Sequence, residues 1–358
     1  MAMTGFRIFK QVPRLLFGSR ALDRLDELLP AKMSSEDYYF FVIDDALEVY
    51  GIEQRIHSDG RDLVEWFPAT AGEPSTAQVD ALKQKIVAAR GATLPKAVIG
   101  IGGGSSMDVA KAVSVMLCNA GASSQYQGWD LVPNPGVYKV GVPTVAGSGA
   151  EASRTAVLMG KDRKFGINSD HSMFDAIILD SSLIATVPRD QRFYSGMDCY
   201  IHCVESLQGT MINELARGNA SKGLELCNEV FLGEGTDDML TTASYMGGVS
   251  IVNSEVGVCH ALSYGLSLEL GFRHGFANCV AFNVLDEYYG PWVANFREML
   301  GQHNITLPSR VCEELDSKAM ERMVEMTLQM ERPLTNALGG NWRDSFTREK
   351  IVELYAEM

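Results

Sequence analysis

At 358 residues the chain exceeds one ordinary domain, so two domains are the expectation. Its 46% hydrophobic and 21% charged content suits an enzyme-sized globular protein with an ample core. The net charge of −14 argues against nucleic acid or an anionic membrane surface as partner, because phosphate contacts need clustered Lys and Arg.

In chain order, the opening "MAMTGFRIFK" has no apolar run, and no uncharged apolar stretch approaches a membrane span. "VPRLLFG" (12–18) reads as a short apolar strand able to pair across an edge, which suggests a homodimer. "YYFFVI" (38–43) is strand-like and ends on Asp44 and Asp45. An acidic residue there can accept a hydrogen bond from a ribose 2′-hydroxyl and would repel a 2′-phosphate. The same pair would equally cap a helix beginning "ALEVYG". "TAQVDALKQKIVAAR" (76–90) has apolar residues at helical spacing, and "KAVIGI" (96–101) is a second strand.

That strand runs into Gly102, Gly103, Gly104, Ser105 and Ser106 and then a helix. Glycines let backbone N–H groups approach a ligand, and a helix N-terminus attracts a pyrophosphate. The turn is neither GxGxxG nor a Walker loop, so a plain tight turn is the competing reading. A second turn, "VPTVAGSGAEAS" (142–153), follows the strand "VYKVGVPT" and supplies Thr144, Gly147, Ser148 and Gly149. "DAIILD" (175–180) adds another strand. Such alternation implies a parallel sheet covered by helices. From about Pro188 long helical segments dominate, for example 237–254, with Gly and Ser where helices pack closely. The expected division is an α/β half, 1–185, and an all-helical half, 186–358, with a cleft between them as the default site.

In "GMDCYIHCVES" (196–206), Asp198 and His202 lie one helical turn apart and share a face. His260 in "GVCHALSYGLS" and His274 in "GFRHGFANCV" follow in the same half. One carboxylate and three imidazoles suit Fe2+ or Zn2+, although any single His can be an ordinary core or surface residue. Cys199 and Cys203 each point roughly 100° away from the Asp198/His202 face and read as small buried hydrophobes. The seven cysteines show no CxxC spacing, so reduced thiols in a cytoplasmic protein fit better than a disulfide framework.

Together, "FGSRALDRL", "GGGSSMDVAKAV", "PTVAGSGAEAS", "GMDCYIHCVES", "CHALSYGLS" and "RHGFANCV" resemble the iron-containing (group III) alcohol dehydrogenases nearly end to end. The resemblance implies a dehydroquinate synthase-like fold, with NAD(P) on a Rossmann-like α/β domain and a divalent metal on a helical domain. It assigns Asp198, His202, His260 and His274 as metal ligands. It places Gly103, Gly104, Ser105 and Asp108 beside the pyrophosphate, Thr144 and Ser148 near ribose and nicotinamide, and Asp44 at the adenosine ribose, favouring NAD. Lys164 in "DRKFGINS" matches a cofactor-site lysine more loosely.

One departure stands out. The family usually has a second histidine four residues after the third ligand, and here that position is Tyr264. A neutral tyrosine, with a pKa of about 10, relays protons poorly. "YQGWDLV" and the stretch from His260 onward look closer to a sugar-acid branch than to the small-alcohol enzymes. The implied reaction is metal-assisted oxidation of an alcohol to a carbonyl with hydride transfer to NAD. The rival readings are a lyase resembling dehydroquinate synthase, an oxygen-using oxidase, and a non-catalytic metal- or nucleotide-binding protein.

Overall fold

The computed structural model describes residues 8–161 and 164–358; the segment from Met1 to Arg7, part of the opening read above, lies outside them. In chain order the α/β half contains β1 (Leu15–Phe17), β2 (Tyr39–Asp44), β3 (Leu63–Phe67), α1 (Thr76–Arg90), β4 (Ala97–Gly102), α2 (Gly104–Leu117), β5 (Gly128–Trp129), β6 (Lys139–Pro143), β7 (Thr155–Met159), β8 (Lys164–Asn168) and β9 (Ala176–Leu179). The short helix α3 (Ser181–Ile184) closes this half, and the helical half follows as α4 (Arg189–Gln208), α5 (Glu214–Leu232), α6 (Asp237–Asn253), α7 (Val258–Leu270), α8 (His274–Phe282), α9 (Asp286–Gln302), α10 (Ser317–Gln329), α11 (Glu331–Leu338) and α12 (Arg348–Glu357).

The main sheet has the order β1-β9-β6-β4-β2-β3, and every pairing in it is parallel. β4 and β6 are buried along their whole length, as strands covered on both faces must be. α1 starts where it does because Ser75 and Gln78 form a capping box. The chain steps from β2 outward to β3 and then returns on the far side of β2 as β4. The order therefore reverses between β2 and β4, and the crevice at their carboxyl ends is where such sheets bind ligands.

A smaller sheet, β5-β8-β7, was not anticipated from the sequence. β7 and β8 pair antiparallel with alternate residues of "TAVLM" buried, whereas in sequence that segment is only a short continuous apolar run. β1 pairs with β9 on one side and forms an edge of the main sheet, with Leu15 and Phe17 exposed. Among the described residues, no helix is long and apolar enough to cross a membrane.

Gly147 determines how the two halves meet. Its φ is +146°, and an added Cβ would lie 1.7 Å from the carbonyl oxygen of Ser195 on α4. Gly149 similarly presses on Gly248 of α6, where a Cβ would meet Gly248 Cα at 2.5 Å. Glu151, buried in the same turn, accepts a hydrogen bond from Ser244 on α6. The second glycine turn is thus seated against the helical half by close backbone approach.

Candidate active site

α4 is buried on nearly all sides, and it carries Asp198 and His202 on one face. α7 brings His260 in its first turn, and His274 is the first residue of α8. The Asp198 Oδ1 atom lies 3.5 Å from His202 Nε2, 3.3 Å from His260 Nε2 and 3.7 Å from His274 Nε2. One ligand atom from each of the four residues falls within 4.8 Å of the others. His202 and His260 stack with ring centroids 4.7 Å apart.

The electrostatics of this group suit a divalent cation. Burial would raise the Asp198 carboxyl, but the imidazoles of His202, His274 and His260 hold it below the ordinary carboxylate range. Burial drives His202 down to about 4 and His274 down to about 3, so both offer lone pairs at neutral pH. His260 goes the other way, to about 9: burial lowers it, but Glu205 and Asp198 outweigh that effect. The lone pairs of His202 and His274 converge on the Asp198 carboxylate in a buried place, and a cation among them would be favoured, with His260 giving up its extra proton on binding. The residues therefore fit the implied ion, and their donor set of three imidazole nitrogens and one carboxylate oxygen is that of Fe2+ or Zn2+.

Two residues that the sequence reading passed over support this group. Glu205, on α4, reaches His260 Nδ1 at 2.6 Å. Asn278, one turn after His274 on α8 and fully buried, donates to Asp198 Oδ1 at 2.7 Å. Both were legible as spacings, because Glu205 falls at i+3 from His202 and Asn278 at i+4 from His274. The cysteines stay out of the ligand set. Cys199 and Cys203 are fully buried, and Cys199 Sγ lies 3.6 Å from Cys227 Sγ.

The sheet edge forms the facing wall. Strand register sets Ile43 beside Ile101 and Gly102 beside Pro143, which brings Asp44 next to the first glycine turn. Gly102 has φ +154°, and a Cβ there would collide with Ser106 at 2.5 Å and with Asp44 at 2.8 Å. Gly103 caps α2, and Gly104 and Ser105 form its first turn. Gly104 faces Ser148 of the second turn, whose Oγ would lie 3.2 Å from an added Cβ. The Thr144 N–H donates to Gly102 O at 2.9 Å, so the two turns are tied together. Asp44 takes one of the two roles weighed from sequence, since its side chain caps the short helix Asp45–Tyr50, and it also lines the cleft. Burial pushes its carboxyl upward.

Asp108 lines the cleft, and its carboxylate also accepts from Val157 N at 3.0 Å, which ties α2 to β7, and pairs within α2 with Lys111 Nζ at 2.9 Å.

Lys164 on β8 is buried and pairs with Glu73 at 3.1 Å, while its Nζ lies 5.3 Å from the Tyr264 ring centroid. The Tyr264 ring meets His274 edge-on at 6.0 Å. Burial, together with the nearby Asp108 carboxylate, raises the Tyr264 phenol well above its ordinary value, which makes it a poorer proton relay than a free tyrosine. Both walls, Lys164 and Tyr264 line one cleft of about 1870 Å³.

The sequence matches the iron-containing alcohol dehydrogenase description over residues 13–181 and its C-terminal counterpart over residues 192–337. It is 33% identical over 198 residues to sulfoacetaldehyde reductase of Bilophila wadsworthia, covering 52% of this chain and 51% of that relative. That match spans about half the relative's length. The chain is 28% identical over 303 residues to NAD-dependent methanol dehydrogenase of Bacillus methanolicus, covering 78% of this chain and 77% of the relative. In three dimensions it resembles sulfoacetaldehyde reductase from Bifidobacterium kashiwanohense in complex with NAD+, with TM-score 0.79, 19% identity, and 98% of each chain covered.

Proposed function

The chain belongs to the iron-containing alcohol dehydrogenase family of oxidoreductases, and on that premise we propose that it oxidises a primary alcohol of a sugar or sugar acid to the carbonyl. In this proposal Asp198, His202, His260 and His274 hold one Fe2+ or Zn2+, and NAD lies along Asp44 and the first glycine turn. An ion held there would supply Lewis-acid polarisation of an alcohol oxygen, and NAD would supply the hydride acceptor. The finer form of the proposal is oxidation of 3-deoxy-D-manno-octulosonate at its terminal carbon. The observation that carries the reading is the single cleft joining the four convergent ligands to the glycine turn.

The protein's own part is to bind, orient and exclude water. Gly103, Gly104 and Ser105 offer backbone N–H groups at the start of α2, where an anionic diphosphate is favoured. Asp44 presents negative charge to the adenosine ribose, which favours NAD over NADP. Thr144 and Ser148 border the nicotinamide end. Tyr264 lies between Lys164 and His274, its ring 5.3 Å from Lys164 Nζ and 6.0 Å from the His274 ring, beside the substrate pocket. At the mouth, the Arg332 guanidinium lies 4.1 Å from the Trp129 ring centroid and pairs with Glu255 at 3.1 Å. An aromatic ring with a guanidinium and a carboxylate suits a polyhydroxylated substrate better than methanol.

The test is metal analysis of protein purified without oxygen, followed by a screen of sugar acids and polyols for NADH formation. A metal-loaded protein that forms no NADH with any of them refutes the proposal. A second reading, favoured by the match to sulfoacetaldehyde reductase, is reduction of a short anionic aldehyde. NADH consumption with such aldehydes, outpacing any sugar oxidation, would establish it instead. We further propose a cytoplasmic homodimer joined along the exposed β1 edge; light scattering giving a single-chain mass of 39.2 kDa would refute the dimer.

A further inference from the structure

Glu205 is a fully buried carboxylate to which four donors converge. Its Oε1 accepts from Cys259 N at 2.7 Å and from the Tyr289 hydroxyl at 2.9 Å. Its Oε2 accepts from Gly257 N at 2.8 Å and meets His260 Nδ1 at 2.6 Å. A buried carboxyl among donors alone is an ionised one, since a proton on either oxygen would face another proton. Gly257 permits this approach: a Cβ there would lie 2.9 Å from Glu205 Oε1 and 2.6 Å from the Tyr289 hydroxyl.

Two roles are combined in one side chain. Gly257 and Cys259 carry N–H groups at the start of α7, so Glu205 satisfies donors that the helix itself leaves unpaired. The same carboxylate grips the imidazole that α7 contributes to the cluster. A neutral histidine donating from Nδ1, the form a metal ligand takes, presents its lone pair on Nε2, and that is the atom facing Asp198 at 3.3 Å. His274 has no such hold, because its Nδ1 finds no hydrogen-bond partner among the described residues.

We infer that Glu205 is a positioning residue for the metal site, which fixes the tautomer and aim of His260 and makes the start of α7 and the ligand one rigid unit. One helix, α4, thereby sets three of the four ligands: Asp198 and His202 directly, and His260 through Glu205. Carboxylate partners of metal-bound imidazoles orient the ring and raise its basicity, and their removal weakens metal affinity by about 10–100-fold. The inference rests on the assignment of the four residues as ligands, and the experiment separates the two.

Zn2+ affinity would be measured on metal-stripped full-length protein by competition with a chromogenic chelator, well below the melting temperature. Wild-type protein that binds no Zn2+ refutes the ligand assignment itself. Given wild-type binding, Glu205→Gln is expected to weaken Zn2+ binding by about 10–100-fold. Tyr289→Phe, which removes one donor to Glu205 without touching His260, should change it by less than about threefold. Wild-type affinity in Glu205→Gln, or equal losses in the two variants, would reduce Glu205 to a helix cap and overturn the inference. If Glu205→Gln does not fold, nitrogen-15 histidine spectra of the Zn2+-loaded wild type decide the matter. A slowly exchanging, strongly downfield Nδ1–H on His260 is expected, and an unprotonated Nδ1 overturns the inference.

Discussion

The two walls of the cleft are built by opposite means. The helical wall works through side chains: a carboxylate and three imidazoles, braced by Glu205 and Asn278, with burial and charge setting each protonation state. The sheet wall works through backbone and missing side chains, with glycines at strand ends whose positive φ values and close contacts exclude a Cβ. The contrast teaches where each wall is fragile. Removing a group damages the first, whereas adding one methyl damages the second.

The largest effect is expected on the helical wall. His274→Ala should lower metal affinity on the order of a thousandfold, because three protein ligands hold an ion far less tightly than four. The fold should persist, since His274 is 30% exposed and its Nδ1 anchors nothing among the described residues. Elemental analysis after gel filtration checks this, and full metal content in the variant would sink the assignment. Cys203→Ala, one position from His202 but off the ligand face, should leave metal content unchanged.

On the sheet wall the sharpest contrast is between two glycines. Gly147→Ala pushes a methyl into the Ser195 carbonyl at an unfavourable φ and should cost about 2–4 kcal/mol in urea unfolding. Gly103→Ala should cost less than about 1 kcal/mol, because its φ is −77° and the new Cβ would only touch Val145 at 3.5 Å. Equal losses in the two variants would contradict the close-approach account of Gly147.

Smaller effects should come from residues between the walls. Tyr264→Phe is expected to lower kcat/KM for the best sugar-acid substrate by about 1–3 kcal/mol, by leaving a substrate hydroxyl or carboxylate unpaired. Metal content should not move, and unchanged kinetics would mean that the ring alone matters. Smallest is Asp44→Ser, which should narrow the preference for NAD over NADP by roughly tenfold, or about 1.4 kcal/mol. Binding titrations with both coenzymes measure it; tighter binding of NADP than NAD by the unaltered protein would show that Asp44 does not face the ribose.

Much of the helical wall was readable because its chemistry is rare. A carboxylate and an imidazole at i, i+4 in a mostly apolar helix demand an explanation, and Glu205 at i+7 belonged to the same pattern. It was overlooked because a carboxylate that serves another helix shows no local partner in the sequence. Asp108 shows the converse: its place after the glycine turn was readable, while its partners Val157 and Lys111 were not.

Local physics settled what could be read from residue order. Alternating apolar runs made buried parallel strands, the Ser75 box started α1, and helical spacing put Asp198 and His202 on one face. Only the tertiary structure decided which partner each group obtained. Gly147 meets Ser195, Lys164 meets Glu73, and Glu205 meets His260 across separations that no sequence period encodes. The reason is physical. Backbone geometry repeats over a few residues and leaves a pattern, whereas a buried charge or a missing Cβ is satisfied by whatever the packed chain brings within about 3 Å of it.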